Sequence, residues 1–368
     1  MDEERLASLF GSRKHPIYVY APAYLAHSAG IRALHYLCHS LNQSGYLSWL
    51  VIYDWDSGRK QLLNPDLNAP ILTSEIRDLH FSNGLAPIII YPETIKGNPL
   101  GAQVVVRWVL NYPGILGGPK TFSDSEHVVS YSNEIAKTLE MRTHVLFLPT
   151  VDIREIQMIR NGLPNRSRTA RALLYAGKYR AFVGSPVLPT WVTDKVTEIF
   201  REGRSRQSRN EVLTLLASSS RLYCFENSSL ITESVLLKTP VILVRSPFFS
   251  SLIAENELGS DGTAWSDEED PIAKSEMGIQ NSENLYLQAI SKFFLDLKRE
   301  ADVWQKIASE SDYLSPISIP APYIPTRLSS GRLSLAIHIL RTQGLASLVK
   351  ATVIFIKRLV LLARRDER

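Results

Sequence analysis

The chain has 368 residues, 45% of them hydrophobic and 21% charged, with 2 cysteines and a formal net charge of +4. Its length predicts two domains, and its hydrophobic content is ample for packed cores. Cys38 and Cys224 lack metal-ligand spacing, and no apolar segment follows the charged first residues. These features predict two core cysteines rather than metal ligands, no signal peptide, and a reduced, cytosolic protein.

The first predicted elements form a βαβ unit. A strand over 15–21 is followed by a small-residue loop, a helix over 31–42 and a second strand over 47–53. This order is typical of the start of a parallel α/β domain. The loop contains His27, a candidate catalytic residue, and Gly30, which permits close approach of a ligand to the backbone. The alternative for His27 is a loop histidine with no chemical role.

A third predicted strand, 86–91, ends just before Glu93. A carboxylate immediately beyond the carboxyl end of a buried strand lies where open α/β sheets bind ligands. Glu93 is therefore a candidate base or orienting group at a ligand site, with a solvated loop glutamate as the alternative. Further along, the pattern predicts a helix over 102–111 and strands over 128–131 and 144–148.

A second domain is predicted to follow a polar, basic linker at 160–171. It opens with a strand that ends at Gly177, and Lys178 and Arg180 come directly after it. This order places basic side chains at a sheet edge beside the cleft, although a lysine after a strand is commonly only a surface residue. A helix is predicted over 189–201.

The stretch 222–244 combines a short strand, a polar loop, a helix and a second, β-branched strand. Asn227, Ser228 and Ser229 are residue types that cap helix N-termini. Such an N-terminus, just past a strand end, favours an anion through its N–H groups and its dipole. Glu233, one turn into the helix, suits a ribose diol. The pattern predicts a nucleotide-diphosphate site, and the alternative is an ordinary strand–helix–strand unit.

This stretch resembles the acidic-pair motif of retaining GT-B glycosyltransferases: a Glu, a short loop, a helix with a second Glu, and then Pro-Val-Ile. Six residues separate Glu226 from Glu233, one fewer than is usual in that family. The resemblance implies that Glu226 faces the donor sugar as a catalytic residue, together with His27 and Glu93. The residues that it implies for binding the donor are Gly30, Gly177, Lys178, Arg180, Asn227, Ser228, Ser229, Thr232 and Glu233. Within that set, Lys178 and Arg180 would neutralise the leaving diphosphate.

The end of the chain is basic and amphipathic. Eight Arg and Lys residues in 331–368 stand against Asp366 and Glu367, so this segment carries a net charge of +6 and the rest of the chain about −2. Lys350, Lys357 and Arg364 recur every seven residues. This stripe argues against a membrane-spanning helix and predicts a helix that lies on an anionic membrane surface. The alternative is a helix packed on the protein or on another subunit.

We therefore predict an α/β protein of the GT-B type, with two Rossmann-like domains facing a cleft. The predicted boundaries are 1–165 for the acceptor domain, 166–314 for the nucleotide-sugar donor domain, and 315–368 for a Pro-rich connector and basic amphipathic tail. The implied function is transfer of a sugar from a nucleotide-sugar to a glycan or polyisoprenyl-linked acceptor. The expected setting is synthesis of a bacterial surface polysaccharide, of the lipopolysaccharide O-antigen or capsule type, at the inner face of the cell membrane.

The predicted chemistry is retaining and needs no cofactor besides the nucleotide-sugar. No metal is expected at the catalytic site. Asp54 and Asp56 have the spacing of an Asp-x-Asp metal motif, but they follow the second strand of the acceptor domain and not a strand of the donor domain. No nucleic-acid partner is expected. Two alternatives remain, a GT-B nucleotide-sugar epimerase and a non-catalytic protein that binds a sugar-nucleotide or a membrane surface.

Overall fold

The computed structural model describes residues 14–54, 62–141, 143–162, 171–201, 206–246, 249–311 and 316–319. The chain divides into one compact unit, Met1–Pro322, and a second, Tyr323–Arg368. The second unit lies outside the described residues, and so does the predicted membrane-surface helix. The predicted linker is described only up to residue 162 and at residue 171.

The first half of the chain forms a six-stranded parallel sheet in the order β2-β1-β3-β4-β5-β6. Its strands are β1 (Ile17–Ala21), β2 (Ser48–Ile52), β3 (Ile88–Pro92), β4 (Val104–Val109), β5 (His127–Ser130) and β6 (His144–Val145). The central strands are apolar runs buried on both faces, as parallel sheets covered by helices require.

Strand β4 replaces the helix that the sequence predicted over 102–111. The three consecutive valines from Val104 favour extended backbone. Arg107 of this strand is 1% exposed and is held by Glu126 at 2.8 Å and by the carbonyl of Ile95 at 2.7 Å. The helix prediction was wrong because a short apolar run fits either element by periodicity alone.

The second half forms a five-stranded parallel sheet in the order β11-β10-β9-β7-β8. Its strands are β7 (Ala172–Tyr175), β8 (Val196–Glu198), β9 (Leu222–Cys224), β10 (Val241–Leu243) and β11 (Thr263–Trp265). Strand β8 contradicts the helix predicted over 189–201, because Val196 and Thr197 pair beside β7. The prediction of two parallel α/β domains is confirmed by the two sheets.

Helices join the strands and cover the sheets. They are α1 (Ala29–Gln43), α2 (Ser74–Ser82), α3 (Asn133–Ala136), α4 (Ile153–Gly162), α5 (Gly177–Phe182), α6 (Arg209–Ser218), α7 (Ser229–Leu236), α8 (Glu255–Leu258), α9 (Pro271–Glu276) and α10 (Ser282–Ser309). None of the helices in the described part of the chain is long and apolar enough to cross a membrane.

Helix α10 contributes to the cores of both sheets. Tyr286, in its second turn, belongs to the core of the second sheet and exchanges hydrogen bonds with the backbone of Val151. Further along, Leu297 and Trp304 belong to the core of the first sheet. The sequence of 281–311 predicts a helix with an apolar face that includes Tyr286, Leu297 and Phe294. The helix is confirmed, but Phe294 is 45% exposed.

The Pro-rich composition predicts an extended connector with few core contacts, but its first described residues pack on the first domain. Ile317 is 2% exposed within the outer core of the first sheet. Its carbonyl accepts a hydrogen bond from Arg77 at 3.2 Å, and the N–H of Ser318 donates to the carbonyl of Leu100 at 3.2 Å. The first residues of the connector therefore belong to the folded body.

Candidate functional site

Each sheet has a topological switch point, which is a pair of neighbouring strands whose onward connections run in opposite directions across the sheet. In the first sheet it lies between β1 and β3, and in the second between β7 and β9. Open α/β sheets bind ligands at the carboxyl ends of strands at such points. The chain after β1 leads to His27, and Glu93 follows β3. Gly177 follows β7, and Glu226 follows β9.

These strand ends open into one cavity of about 690 Å³. This volume is within the range of small-molecule sites, about 300–1,000 Å³. The cavity is lined by all but one of the residues predicted for the site: His27, Gly30, Glu93, Gly177, Lys178, Arg180, Glu226, Asn227, Ser228, Ser229 and Thr232. The exception is Glu233. The structure therefore brings together residues from both domains that are up to 205 positions apart in sequence, as a cleft between the domains requires.

Two helices begin at this cavity, α1 with 15 residues and α7 with 8 residues. The side chain of Ser28 caps α1 by accepting from the N–H of Ile31 at 3.5 Å, and Ser228 caps α7 by accepting from the N–H of Leu230 at 3.3 Å. No acidic residue stands in the first turn of either helix. Both positive helix ends therefore favour an anion in the cavity.

Glu226 is a buried carboxyl at the wall of the cavity. One of its oxygens accepts from the N–H of Tyr179 at 3.0 Å, and the other has no hydrogen-bond partner among the described residues. Burial raises the pKa of Glu226, and the nearby charges of Lys178 and Arg201 oppose this rise in part. A buried acceptor without a donor is costly, so this oxygen is ready to receive a ligand hydroxyl.

Glu93 is the buried carboxyl on the opposite sheet. It is 3% exposed, and one of its oxygens accepts from the N–H of Leu110 at 2.9 Å. Burial raises the pKa of Glu93 to about 7, against the smaller opposing effects of that hydrogen bond and of Arg107. The solvated loop glutamate considered as the alternative is excluded by this burial. A carboxyl with a pKa near neutrality is suited to proton transfer at physiological pH.

The two predicted phosphate cations differ in their partners. Lys178 donates to the carbonyl of Asn227 at 3.2 Å and has no carboxylate in an ion pair among the described residues. Arg180, in contrast, forms a two-bond pair with Glu198, with both distances at 2.5 Å. Arg201 also lines the cavity, and its charge acts on Glu226. Lys178 and Arg201 are therefore the more available cations, and Arg201 was missed by the sequence analysis.

The side chain of Asn227 is committed to the protein. Its amide donates to the carbonyl of Ser251 at 2.9 Å, and its oxygen accepts from the N–H of Ile253 at 3.0 Å. This residue thus fixes the loop after β10 at the rim of the cavity. Its predicted contact with a donor is restricted to backbone atoms. Ser229 is different, because its buried hydroxyl has no partner among the described residues.

The two predicted glycines serve different purposes. A side chain at Gly30 would meet nothing within 4 Å, so this position contributes open space rather than a required close approach. A Cβ at Gly177 would lie 3.0 Å from the hydroxyl oxygen of Tyr175, which is tighter than ordinary contact. Gly177 therefore permits the tight start of α5 against the end of β7.

Glu233 does not line the cavity. Its carboxylate is 1% exposed and is paired with Arg32 at 3.0 Å and Arg209 at 2.8 Å. Burial alone would raise the pKa of Glu233, but these two positive charges outweigh it and hold the pKa below its ordinary value. Arg209 also pairs with Glu155 at 2.7 Å. The ribose-binding role stays a prediction, and it would require Glu233 to release an arginine.

The Arg32 pair joins the two domains, because Arg32 lies on α1 and Glu233 on α7. The sequence analysis did not identify Arg32 or Arg209 as partners. A weak signal was present for Arg32, since an arginine one turn into an otherwise apolar helix face requires a buried partner.

Among the described residues, one group of three possible metal ligands is found, and it lies outside this cavity, at His127, His144 and Glu300.

No protein-family model matches the chain, and no curated protein sequence matches it either. Solved structures do resemble it at 8–12% identity. A glycosyltransferase from Rickettsia africae ESF-5 is 10% identical, over 82% of this chain and 100% of its own, with a TM-score of 0.47. WaaG, a glycosyltransferase involved in lipopolysaccharide biosynthesis, is 10% identical over 78% of this chain and 99% of its own, with a TM-score of 0.39.

A third similar structure is BGT of phage T4, in complex with its UDP-glucose substrate. It is 8% identical, over 81% of this chain and 100% of its own, with a TM-score of 0.35. The predicted architecture of two parallel α/β domains facing a cleft is confirmed independently by the two sheets and the cavity at their switch points.

Proposed function

We propose that this protein is a glycosyltransferase that moves a sugar from a nucleotide-sugar donor to a glycan or lipid-linked acceptor. One observation carries the proposal: the switch points of two Rossmann-like sheets open into a single cavity that contains buried carboxyls, helix N-termini and cations. A nucleotide-sugar has a diphosphate between two hydroxyl-rich rings. These groups match anion-binding helix ends flanked by carboxyl hydrogen-bond acceptors.

The donor diphosphate would lie at the start of α7. Ser228 and Ser229 stand there, and Lys178 reaches the same loop through the carbonyl of Asn227. Negative charge grows on the diphosphate as the bond to the sugar breaks. Fixed N–H groups and a positive charge therefore stabilise the transition state more than the bound donor.

The sugar would lie between the two buried carboxyls. The free oxygen of Glu226 supplies an acceptor for a sugar hydroxyl. Glu93, across the cavity, is placed to orient the acceptor hydroxyl or to take its proton. We propose that no metal takes part, because helix ends and basic side chains supply the positive charge at the phosphates. Retention of configuration is proposed from the acidic-pair resemblance.

We further propose that the enzyme acts at the inner face of a bacterial cell membrane, on a polyisoprenyl-linked acceptor of surface polysaccharide synthesis. This part rests on the sequence of the tail, whose basic stripe suits anionic lipid headgroups. No specific observation favours an epimerase or a non-catalytic binding protein.

The function is tested first by ligand stabilisation and then by turnover. Unfolding temperatures of the full-length protein would be measured with UDP-, GDP-, CMP- and dTDP-sugars. A ligand at 100 times its Kd adds about 2.7 kcal/mol of stability, which is readily visible. The stabilising donor would then be incubated with candidate acceptors, and release of the nucleotide would be measured, as the nucleoside diphosphate or, from a CMP-sugar, as CMP. Stabilisation without release for any acceptor would support a binding protein instead.

Replacing Glu93 by glutamine is expected to change the pH dependence of turnover. With a pKa of about 7, Glu93 is protonated below that pH and ionised above it. A base must be ionised, so wild-type kcat/KM should rise as the pH increases through about 7. Glu93→Gln should lose this rise and should be slower by about 10²–10⁴ at pH 8. The exposed Glu75→Gln is the matched control. A wild-type profile in Glu93→Gln would exclude Glu93 as the base.

Removing the residues after Pro325 is expected to abolish binding to anionic vesicles. The deleted segment includes the part with net charge +6 but none of the cavity residues. The cut also keeps Ile317 in its core position. Vesicle co-sedimentation of the full-length protein should weaken as salt rises, because the Debye length falls from about 10 Å at 0.1 M to about 3 Å at 1 M. Equal sedimentation of both proteins would exclude the tail as the membrane contact.

A further inference from the structure

We infer that His127, His144 and Glu300 form a binding site for Zn²⁺ or a similar late first-row divalent cation, at the outer edge of the first sheet. None of the three lines the cavity proposed for sugar transfer. Their ligand atoms all lie within 4.8 Å of one another. The proposal is therefore independent of the reaction proposed above.

The strand register brings the two histidines together. His144, the first residue of β6, is paired with Val129 of β5. His127 lies two residues before Val129, and side chains two positions apart on a strand point to the same face. Val129 is fully buried in the core that also contains Leu297 of α10. Both imidazoles therefore stand at the rim of the sheet face that α10 covers.

Helix α10 supplies the third ligand. Glu300 lies three residues after Leu297 and four before Trp304, so it shares the apolar stripe that packs on the first sheet. It is 0% exposed, which is rare for a carboxylate unless it is paired or bound to a metal. One oxygen lies 2.9 Å from Nδ1 of His144, and the other lies 3.4 Å from Nε2 of His127.

These distances are close to those of a metal shell. Zn²⁺ binds imidazole nitrogen and carboxylate oxygen at about 2.0–2.2 Å, so neighbouring ligand atoms in a tetrahedral shell lie roughly 3.4 Å apart. The two nitrogen–oxygen separations, 2.9 and 3.4 Å, involve different oxygens of Glu300, and one ligand atom from each residue lies within 4.8 Å of the other two, so small side-chain rotations would bring the three to that spacing. His144 is 49% exposed, so its ring has room to turn toward a cation and a water molecule can complete the shell. Two imidazoles and a carboxylate are a ligand set that zinc prefers.

The surrounding charges allow a cation to enter. Arg299 stands near Glu300, with Nε at 3.6 Å from a carboxylate oxygen, but it also pairs with Asp296 at 3.1 Å. Because Arg299 is 58% exposed, it can remain on Asp296 while the metal occupies Glu300. A bound cation would then tie α10 to β5 and β6. The site is structural in this proposal, since it fastens the helix that both cores share.

The test uses the untagged, full-length protein, stripped with a chelator, reloaded with Zn²⁺ and desalted. Elemental analysis should find about one zinc per chain, and Co²⁺ should produce the visible absorption of a nitrogen–oxygen site. His144→Gln should weaken the apparent Kd by at least about 100-fold, since even losses outside the ligand shell cost about 10–100-fold. His39→Gln, at another partly buried histidine that is not in the cluster, is the matched control and should bind as wild type does.

Two further measurements distinguish a metal site from a simple set of hydrogen bonds. Arg299→Gln keeps all three ligands and removes the nearest competing cation, so it should bind Zn²⁺ at least as tightly as wild type. Zn²⁺ should also raise the Tm of the wild-type protein and leave that of His144→Gln unchanged. The proposal is overturned if stripped wild type takes up no zinc, or if His144→Gln and His39→Gln bind it equally.

Discussion

Replacing Glu233 by glutamine is expected to lower the free energy of unfolding by about 3–5 kcal/mol, because it leaves the buried Arg32 without its carboxylate, whereas Arg209 keeps Glu155. The side chains of Glu233 and Arg32 are each 1% exposed, so water cannot solvate the positive charge that Arg32 keeps. Glutamine keeps the shape of the side chain, and the loss therefore reports charge rather than a cavity. Urea unfolding monitored by circular dichroism measures it.

The matched control is Glu283→Gln. Glu283 pairs with Arg160 at 2.6 Å, but these side chains are 23% and 35% exposed, so the expected loss is about 0–1 kcal/mol. The pKa of Glu233 is lowered in the folded state, so its contribution is present above the ordinary pKa of 4.5 and is lost as the pH falls through the lowered value. The difference between Glu233→Gln and wild type should therefore shrink in acid. Equal losses in the two variants would contradict the buried charge network.

Replacing Lys178 by alanine is expected to slow kcat by about 10²–10³ while changing donor affinity much less. This is the size of effect found when one fixed electrostatic group at a transition state is removed. The charge of Lys178 is not neutralised by an ion pair among the described residues, and it acts on the buried Glu226. Steady-state kinetics, together with the Kd of the intact donor, separate the two effects.

Arg180→Ala is the comparison for that variant. Arg180 already shares its charge with Glu198 in a two-bond pair, so its removal should cost kcat much less than removal of Lys178. Charge is the quantity under test, and Lys178→Arg should therefore recover part of the loss. A Lys178→Ala protein with wild-type kcat would transfer the phosphate role to Arg201, the other available cation of the cavity.

The parts of the site that the sequence could predict are those that follow from local order along the chain. A carboxylate just after a buried strand lies at the carboxyl end of a parallel sheet, and this rule predicted Glu93 at the cavity, whereas Glu226 was assigned from the family resemblance; both line the cavity. The cap at Ser228 was likewise predictable from residue type. Strand β4 was not, because its valine run could equally have continued a helix.

The parts that could not be predicted depend on contacts between distant residues. Arg32 is 201 positions from Glu233, and no local pattern links a residue of α1 to one of α7. The burial that raises the pKa of Glu93 arises only in the folded chain, where Glu93 is 3% exposed and accepts a hydrogen bond from the N–H of Leu110, 17 positions away. The commitment of the Asn227 side chain to the backbone at Ser251 is of the same kind. Each of these contacts determines what a residue can do, and none of them can be read from the order of residues along the chain.

The arrangement of helix α10 has a consequence for synthesis on the ribosome. Strand β6 ends at Val145, yet the first sheet receives part of its core from residues up to Ala308. At about 5–20 residues per second, the roughly 160 intervening residues take about 8–30 s to emerge. During that time the part of the core that Leu297 and Trp304 complete has no cover from α10. The N-terminal half of the chain therefore reaches its final packing only when α10 has left the exit tunnel.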